Sequence, residues 1–138
     1  MSNLIHSKVE PEKLLHIINR KDEIVDMRHN ISPESAYLQV AGMNIPSNHK
    51  YKAHKHLPLK RQTDITQESW VVISGFVKVW LYDIDDTLLH ETTLSPGDCS
   101  VTLEGGHTYK ALVPDTVVYE FKTGPYYGIE KDKVFLNE

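Results

Sequence analysis

A chain of 138 residues, 40% hydrophobic and 25% charged, is long enough for one domain with its own core. A net charge of -4 and a pI near 6.0 argue against nucleic acid as the main partner, because phosphate binding needs a basic surface. Cys99 is the only cysteine, which excludes an intrachain disulfide and points to a reducing compartment. No apolar run approaches the ~20 residues of a membrane span, and residues 1–12 lack the apolar stretch of a signal peptide. The expectation is a cytoplasmic single domain over residues 1–138, with no membrane partner. Eight histidines are many for this length and raise the expectation of metal or proton chemistry.

The N-terminal pattern predicts a helix over about residues 10–20. Pro11 suits a first helical turn, Glu10 and Glu12 suit the positive end of the dipole, and Leu14, Leu15, Ile17 and Ile18 form an apolar stripe. After Ile24 the chain reads as β. Short apolar or alternating runs occur at 36–40, 51–56, 69–73, 76–82, 90–94, 100–103, 108–113 and 117–121. Turn chemistry separates them at Pro46-Ser47-Asn48, Ser74-Gly75, Asp83 to Asp86, Pro96-Gly97-Asp98, Gly105-Gly106 and Pro114-Asp115. Short strands with regular turns indicate a barrel or sandwich. The tail, 123–138, is expected to lie along the barrel or against a second subunit.

His54-Lys55-His56 stands out, because two histidines one residue apart on a strand share a face. Glu68 opens an apolar run that ends at Gly75, followed by Leu94-Ser95-Pro96-Gly97-Asp98 and then by Gly105-Gly106-His107. This order resembles the two motifs of the cupin superfamily, His-x-His with Glu-x6-Gly and Pro-Gly-Asp with a later histidine. The resemblance covers roughly residues 35–122. It implies an all-β double-stranded β-helix, a cupin or jelly-roll barrel, here with a short N-terminal helix. It also implies His54, His56, Glu68 and His107 as ligands of a divalent metal. A mixed imidazole and carboxylate set suits Fe, Mn, Ni or Zn.

The gap from His56 to Glu68 is eleven residues, longer than cupins usually have, and forms an insertion at the barrel mouth with Lys60, Arg61 and Gln67. Gln67 and Glu68 compete for the metal-facing position, and the step to Gly75 favours Glu68. Arg28-His29-Asn30, Leu38-Gln39-Val40, Tyr51 and Tyr82 to Asp86 look like the small single-domain cupins of the WbuC type, found with surface-polysaccharide genes. Sugar-nucleotide ketoisomerases are similar in size, but their Arg-Gly before His-x-His is absent here.

Parity adds pocket candidates. A strand regular through residue 56 puts Lys50 and Lys52 on the face of His54 and His56, whereas a strand starting at Tyr51 leaves both in solvent. Trp70 shares the face of Glu68, and Tyr109 that of His107. Lys52, Trp70 and Tyr109 are therefore candidate substrate residues, Arg61 of the mouth insertion is another because a guanidinium suits phosphate or carboxylate, and Glu120 and Tyr109 are candidate acid–base groups. Tyr119 and Phe121 alternate with Glu120 and Lys122, and fit a dimer interface. The expected function is that of a metal-binding homodimer acting on a small anionic or carbohydrate-related molecule, as an isomerase or epimerase. The alternatives are an Fe(II) dioxygenase and a non-enzymatic binding or sensor module.

Overall fold

In the computed structural model, which describes residues 3–137, the chain runs through short antiparallel strands. They are β1 (Asn3–His6), β2 (Leu14–Asn19), β3 (His29–Asn30), β4 (Ala41–Gly42), β5 (Glu68–Ser74), β6 (Val77–Tyr82), β7 (Leu88–Leu94), β8 (Cys99–Thr102), β9 (His107–Ala111) and β10 (Val117–Lys122). Helix is confined, among the described residues, to a 3-10 turn at Lys21–Glu23 and the single turn α1 (Ile129–Asp132). One sheet has the order β1-β2-β8-β5-β10, a second has the order β7-β6-β9, and β3 pairs with β4 alone. The chain is all-β as expected. Neither of the two larger sheets closes on itself, so both keep free edges.

The expected N-terminal helix is absent: Leu14–Asn19 is strand β2, paired with β1 and β8. Five of its six residues are buried, because both faces of the five-stranded sheet are covered. Such a strand loses its alternation and reads as a continuous apolar run, which periodicity cannot separate from a helix. Ile18 faces the inner core with Ile5, Val72, Val77, Val79, Leu81 and Leu94, whereas Ile17 faces an outer core with Ile31, Cys99, Val101 and Leu103.

Two expected strands also fail to form. Residues 36–40 lie in a turn stapled by Gln39, whose Nε2 donates to the carbonyls of Pro33 and Ala36. Residues 51–56 belong to a segment, 43–66, that is exposed throughout, with β-structure absent from 43 to 67. Lys-Tyr-Lys-Ala-His-Lys-His offers no apolar face to a sheet, and Pro58 interrupts the ladder after it. The remaining runs form strands within one or two residues of their expected bounds.

Two motif residues do structural work. Gly75 adopts φ +76° in the β5–β6 turn, where a Cβ would come within 2.7 Å of Thr116 Cα. Asp98 is buried and accepts bonds from the Ser95 amide at 2.9 Å, the Lys21 amide at 2.9 Å and Arg20 Nη1 at 3.0 Å. It fixes the turn before β8 to the end of β2. Asp98→Ala is expected to lower stability by about 2–3 kcal/mol, since buried donors and a cation lose their acceptor. Urea unfolding checks this, with the exposed Asp22→Ala as an unchanged control.

Candidate functional site

Strand register sorts side chains along the interior. At one end Val72, Val77 and Leu94 make an apolar floor. One step along, Trp70 on β5 stacks on Tyr109 of β9, with ring centroids 3.8 Å apart and planes within 5°. A further step reaches Glu68 on β5, Thr102 on β8, His16 on β2 and His107 on β9. Lys122 and Glu120 of β10 lie opposite Glu68 and Trp70 in the ladder. The inner face thus changes from apolar to polar toward one end.

Hydrogen bonds order the polar end. His16 is fully buried, and burial drives its pKa down to about 4, so it is neutral near pH 7. Its Nε2 lies 2.8 Å from the Tyr82 carbonyl, which only accepts, so Nε2 carries the hydrogen. Nδ1 must then accept from Thr102 Oγ1, 3.0 Å away. With its one hydrogen used, Thr102 accepts from His107 Nδ1–H at 3.1 Å. That leaves His107 Nε2 facing Glu68 Oε2 at 2.5 Å, with a proton on this contact. Burial opposes ionisation of Glu68. The hydrogen bond to His107 and its charge, with Glu120 and Lys122 beside the carboxyl, hold it below the ordinary glutamate value.

Neighbouring groups are set around the pair. Trp70 Nε1–H donates to Glu120 Oε1 at 3.0 Å. Tyr109 Oη bonds Ser100 Oγ at 3.0 Å, and burial pushes its phenol well above the ordinary tyrosine range, which argues against a base at this position. Burial likewise pushes the Cys99 thiol up to about 12, so it is a core residue rather than a nucleophile. The C-terminal segment crosses the polar end. Lys122 Nζ pairs with Asp132 at 3.5 Å and sits over the Tyr126 ring at 4.7 Å, and Leu136 packs against Gly106, next to His107. Two grooves, about 500 and 280 Å³, open instead toward the outer core, one beside Leu14, Ile31 and Pro33 and the other beside Lys13, Ile65 and Gln67. Neither groove is lined by Glu68 or His107.

The sequence-derived ligand set divides into two pairs. Glu68 and His107 meet between the sheets, and it is Glu68 that contacts His107. The Gln67 side chain accepts from the Leu38 amide instead. His54 and His56 are exposed on the 43–66 segment, their rings 5.4 Å apart, with His54 Nδ1 bonded to the Lys52 carbonyl at 2.8 Å. Among the described residues no three His, Cys, Asp or Glu side chains gather closely enough to hold a metal. In this arrangement the four residues therefore do not fit a common ion. Lys52 and Arg61 are exposed on the same segment, and the strand that would set Lys52 on one face with His54 and His56 does not form. Sequence reasoning missed His16, Thr102, Ser100 and Lys122. His16 falls into register only once residues 14–19 are a strand.

No family model, curated protein or solved structure matches this chain. Among the described residues, no helix is long and apolar enough to cross a membrane.

His16 gives the fold a pH dependence of definite sign. Its folded pKa, about 4, lies below the ordinary 6.5, so between these values the unfolded chain binds more protons. Its contribution is complete above about pH 6.5 and is lost as pH falls toward 4, on the order of 3 kcal/mol in all. Urea midpoints at pH 7 and pH 5 should differ accordingly, and His16→Gln should flatten that difference.

Proposed function

We propose that the polar end of the two-sheet interior is a small-molecule site in which Glu68 and His107 transfer protons. The 2.5 Å contact between Glu68 Oε2 and His107 Nε2, oriented by His16 and Thr102 from behind, carries this reading. A carboxylate and an imidazole that share a proton supply a base and an acid at one point. The matching reaction class is isomerisation or epimerisation beside a carbonyl. Glu68 takes the C–H proton as His107 donates to the carbonyl oxygen, and return of the proton completes a redox-neutral exchange. The Trp70–Tyr109 stack supplies a flat apolar wall, and Lys122 supplies a cation. A small polyol or keto-sugar with an anionic group suits such a lining.

A second reading keeps the four-ligand metal centre of the cupin resemblance. One observation favours it: the segment bearing His54 and His56 is exposed, and its described hydrogen bonds from 45 to 61 are all local, so it is free to move toward Glu68 and His107. Elemental analysis separates the readings. Metal retained by the native protein and lost in His54→Ala/His56→Ala supports the second, and equal metal content in both sinks it.

Deuterium incorporation into keto-sugars and sugar nucleotides incubated with the protein in D₂O tests the first reading. Solvent deuterium should enter at the carbon beside the carbonyl. Glu68→Gln and His107→Asn should each slow this by about 10²–10⁴-fold, and Tyr109→Phe should not. Absence of exchange across the panel, or exchange untouched by both substitutions, contradicts it.

A further inference from the structure

We propose that residues 45–61 are a docking arm for a second copy of this chain. The segment carries Lys50, Lys52, Lys55, Lys60 and Arg61 and no acidic residue. The chain carries -4 and the arm +5, so the rest of the chain carries -9. Among the described residues these five cations form no ion pair within 4.0 Å. Apolar side chains stand out between them, Leu57 at 84% and Leu59 at 68% exposure.

The arm is tied down only at its ends. The Asn44 amide donates to the Asp26 carbonyl at 3.0 Å, and the Tyr37 hydroxyl donates to the Gln62 carbonyl. Between these anchors the described hydrogen bonds are local, such as His49 N–H to the Pro46 carbonyl and Arg61 to the Leu59 carbonyl. Structureless connections beyond about 12–15 residues are uncommon inside a domain and are usually functional or disordered.

A partner must cover leucines and neutralise lysines together. A nucleic acid strand meets the cations but leaves the leucines wet, and the -9 body repels it. A second copy offers both properties. Its body is acidic, and edge strand β10 presents Tyr119 at 61%, Phe121 at 54% and Val117 at 50% exposure on one outward face, beside Ile73 of β5. The Leu57-Pro58-Leu59 tip would cover that strip, and the five cations would face a body that carries -9. This assignment is independent of the chemistry proposed for Glu68 and His107.

Sedimentation of the full chain in 0.1 M salt tests it over a concentration series up to about 100 µM, a range that captures dissociation constants of weak dimers. A dimer is expected. Leu57→Asp/Leu59→Asp, Lys52→Glu/Lys55→Glu/Arg61→Glu and Tyr119→Ser/Phe121→Ser should each weaken it at least about tenfold. The arm variants should leave the urea midpoint unchanged, since among the described residues the arm makes no hydrogen bond or ion pair to the rest of the chain. A monomer throughout overturns the proposal, as does a dimer that withstands the arm substitutions. So does a monomer that binds a single-stranded oligonucleotide through these cations.

Discussion

The hydroxyl of Thr102 has one hydrogen and two imidazole neighbours, and that constraint organises the polar end of the molecule. His16 cannot turn its Nδ1–H toward Thr102, because its Nε2 must serve the Tyr82 carbonyl. Thr102 therefore donates to His16 and accepts from His107. The direction passes from a wholly buried residue, through one hydroxyl, to the half-buried His107 facing Glu68. A buried neutral histidine is thus the fixed end of a chain whose free end holds a shared proton. Gly105 takes part indirectly. At φ +91° a Cβ there would lie 2.6 Å from the Tyr82 carbonyl, the acceptor on which the chain rests.

Anchoring of the two sheets maintains this geometry. Asp83 is buried at the β6–β7 turn and accepts bonds from Ser7 Oγ at 2.5 Å and from the Lys8 amide at 2.7 Å, joining the end of β1 to the smaller sheet. At the other end Arg20, paired with Asp98, donates to the Thr93 carbonyl and to Thr92 Oγ1 of β7. Between these ties the apolar floor holds the sheets together, and the Trp70–Tyr109 stack separates floor from polar end. The buried carboxylates of Asp83 and Asp98 thus position the structure, while that of Glu68 faces His107 across a shared proton.

Much of this was legible in the residues. Alternation located β5, β6, β9 and β10, and the turn residues Gly75, Pro96-Gly97-Asp98 and Gly105-Gly106 located the β5–β6, β7–β8 and β8–β9 reversals. The same alternation put Trp70 with Glu68 and Tyr109 with His107, and their rings do meet. The misreadings have physical causes. Leu14–Asn19 is buried on both faces, so its apolar run carried no period of two. His54 and His56 had the spacing of a strand but no apolar face to hold one in place, so they remain in solvent. A net charge of -4 conceals a +5 segment at residues 45–61. Thr102 and Ser100 were invisible because short hydroxyl side chains gain meaning only from register.

The histidine ring protons test the proton-shared pair most directly, because the whole account follows from their placement. Nitrogen-15 correlation spectra of the imidazoles at neutral pH should show His16 with its hydrogen on Nε2. They should show His107 with a hydrogen on Nδ1, and Thr102→Val should abolish that preference while leaving His16 bonded to Tyr82. A His16 ring with hydrogen on Nδ1, or a His107 ring with Nδ1 bare, would reverse the chain and contradict the proposed role of Glu68 and His107.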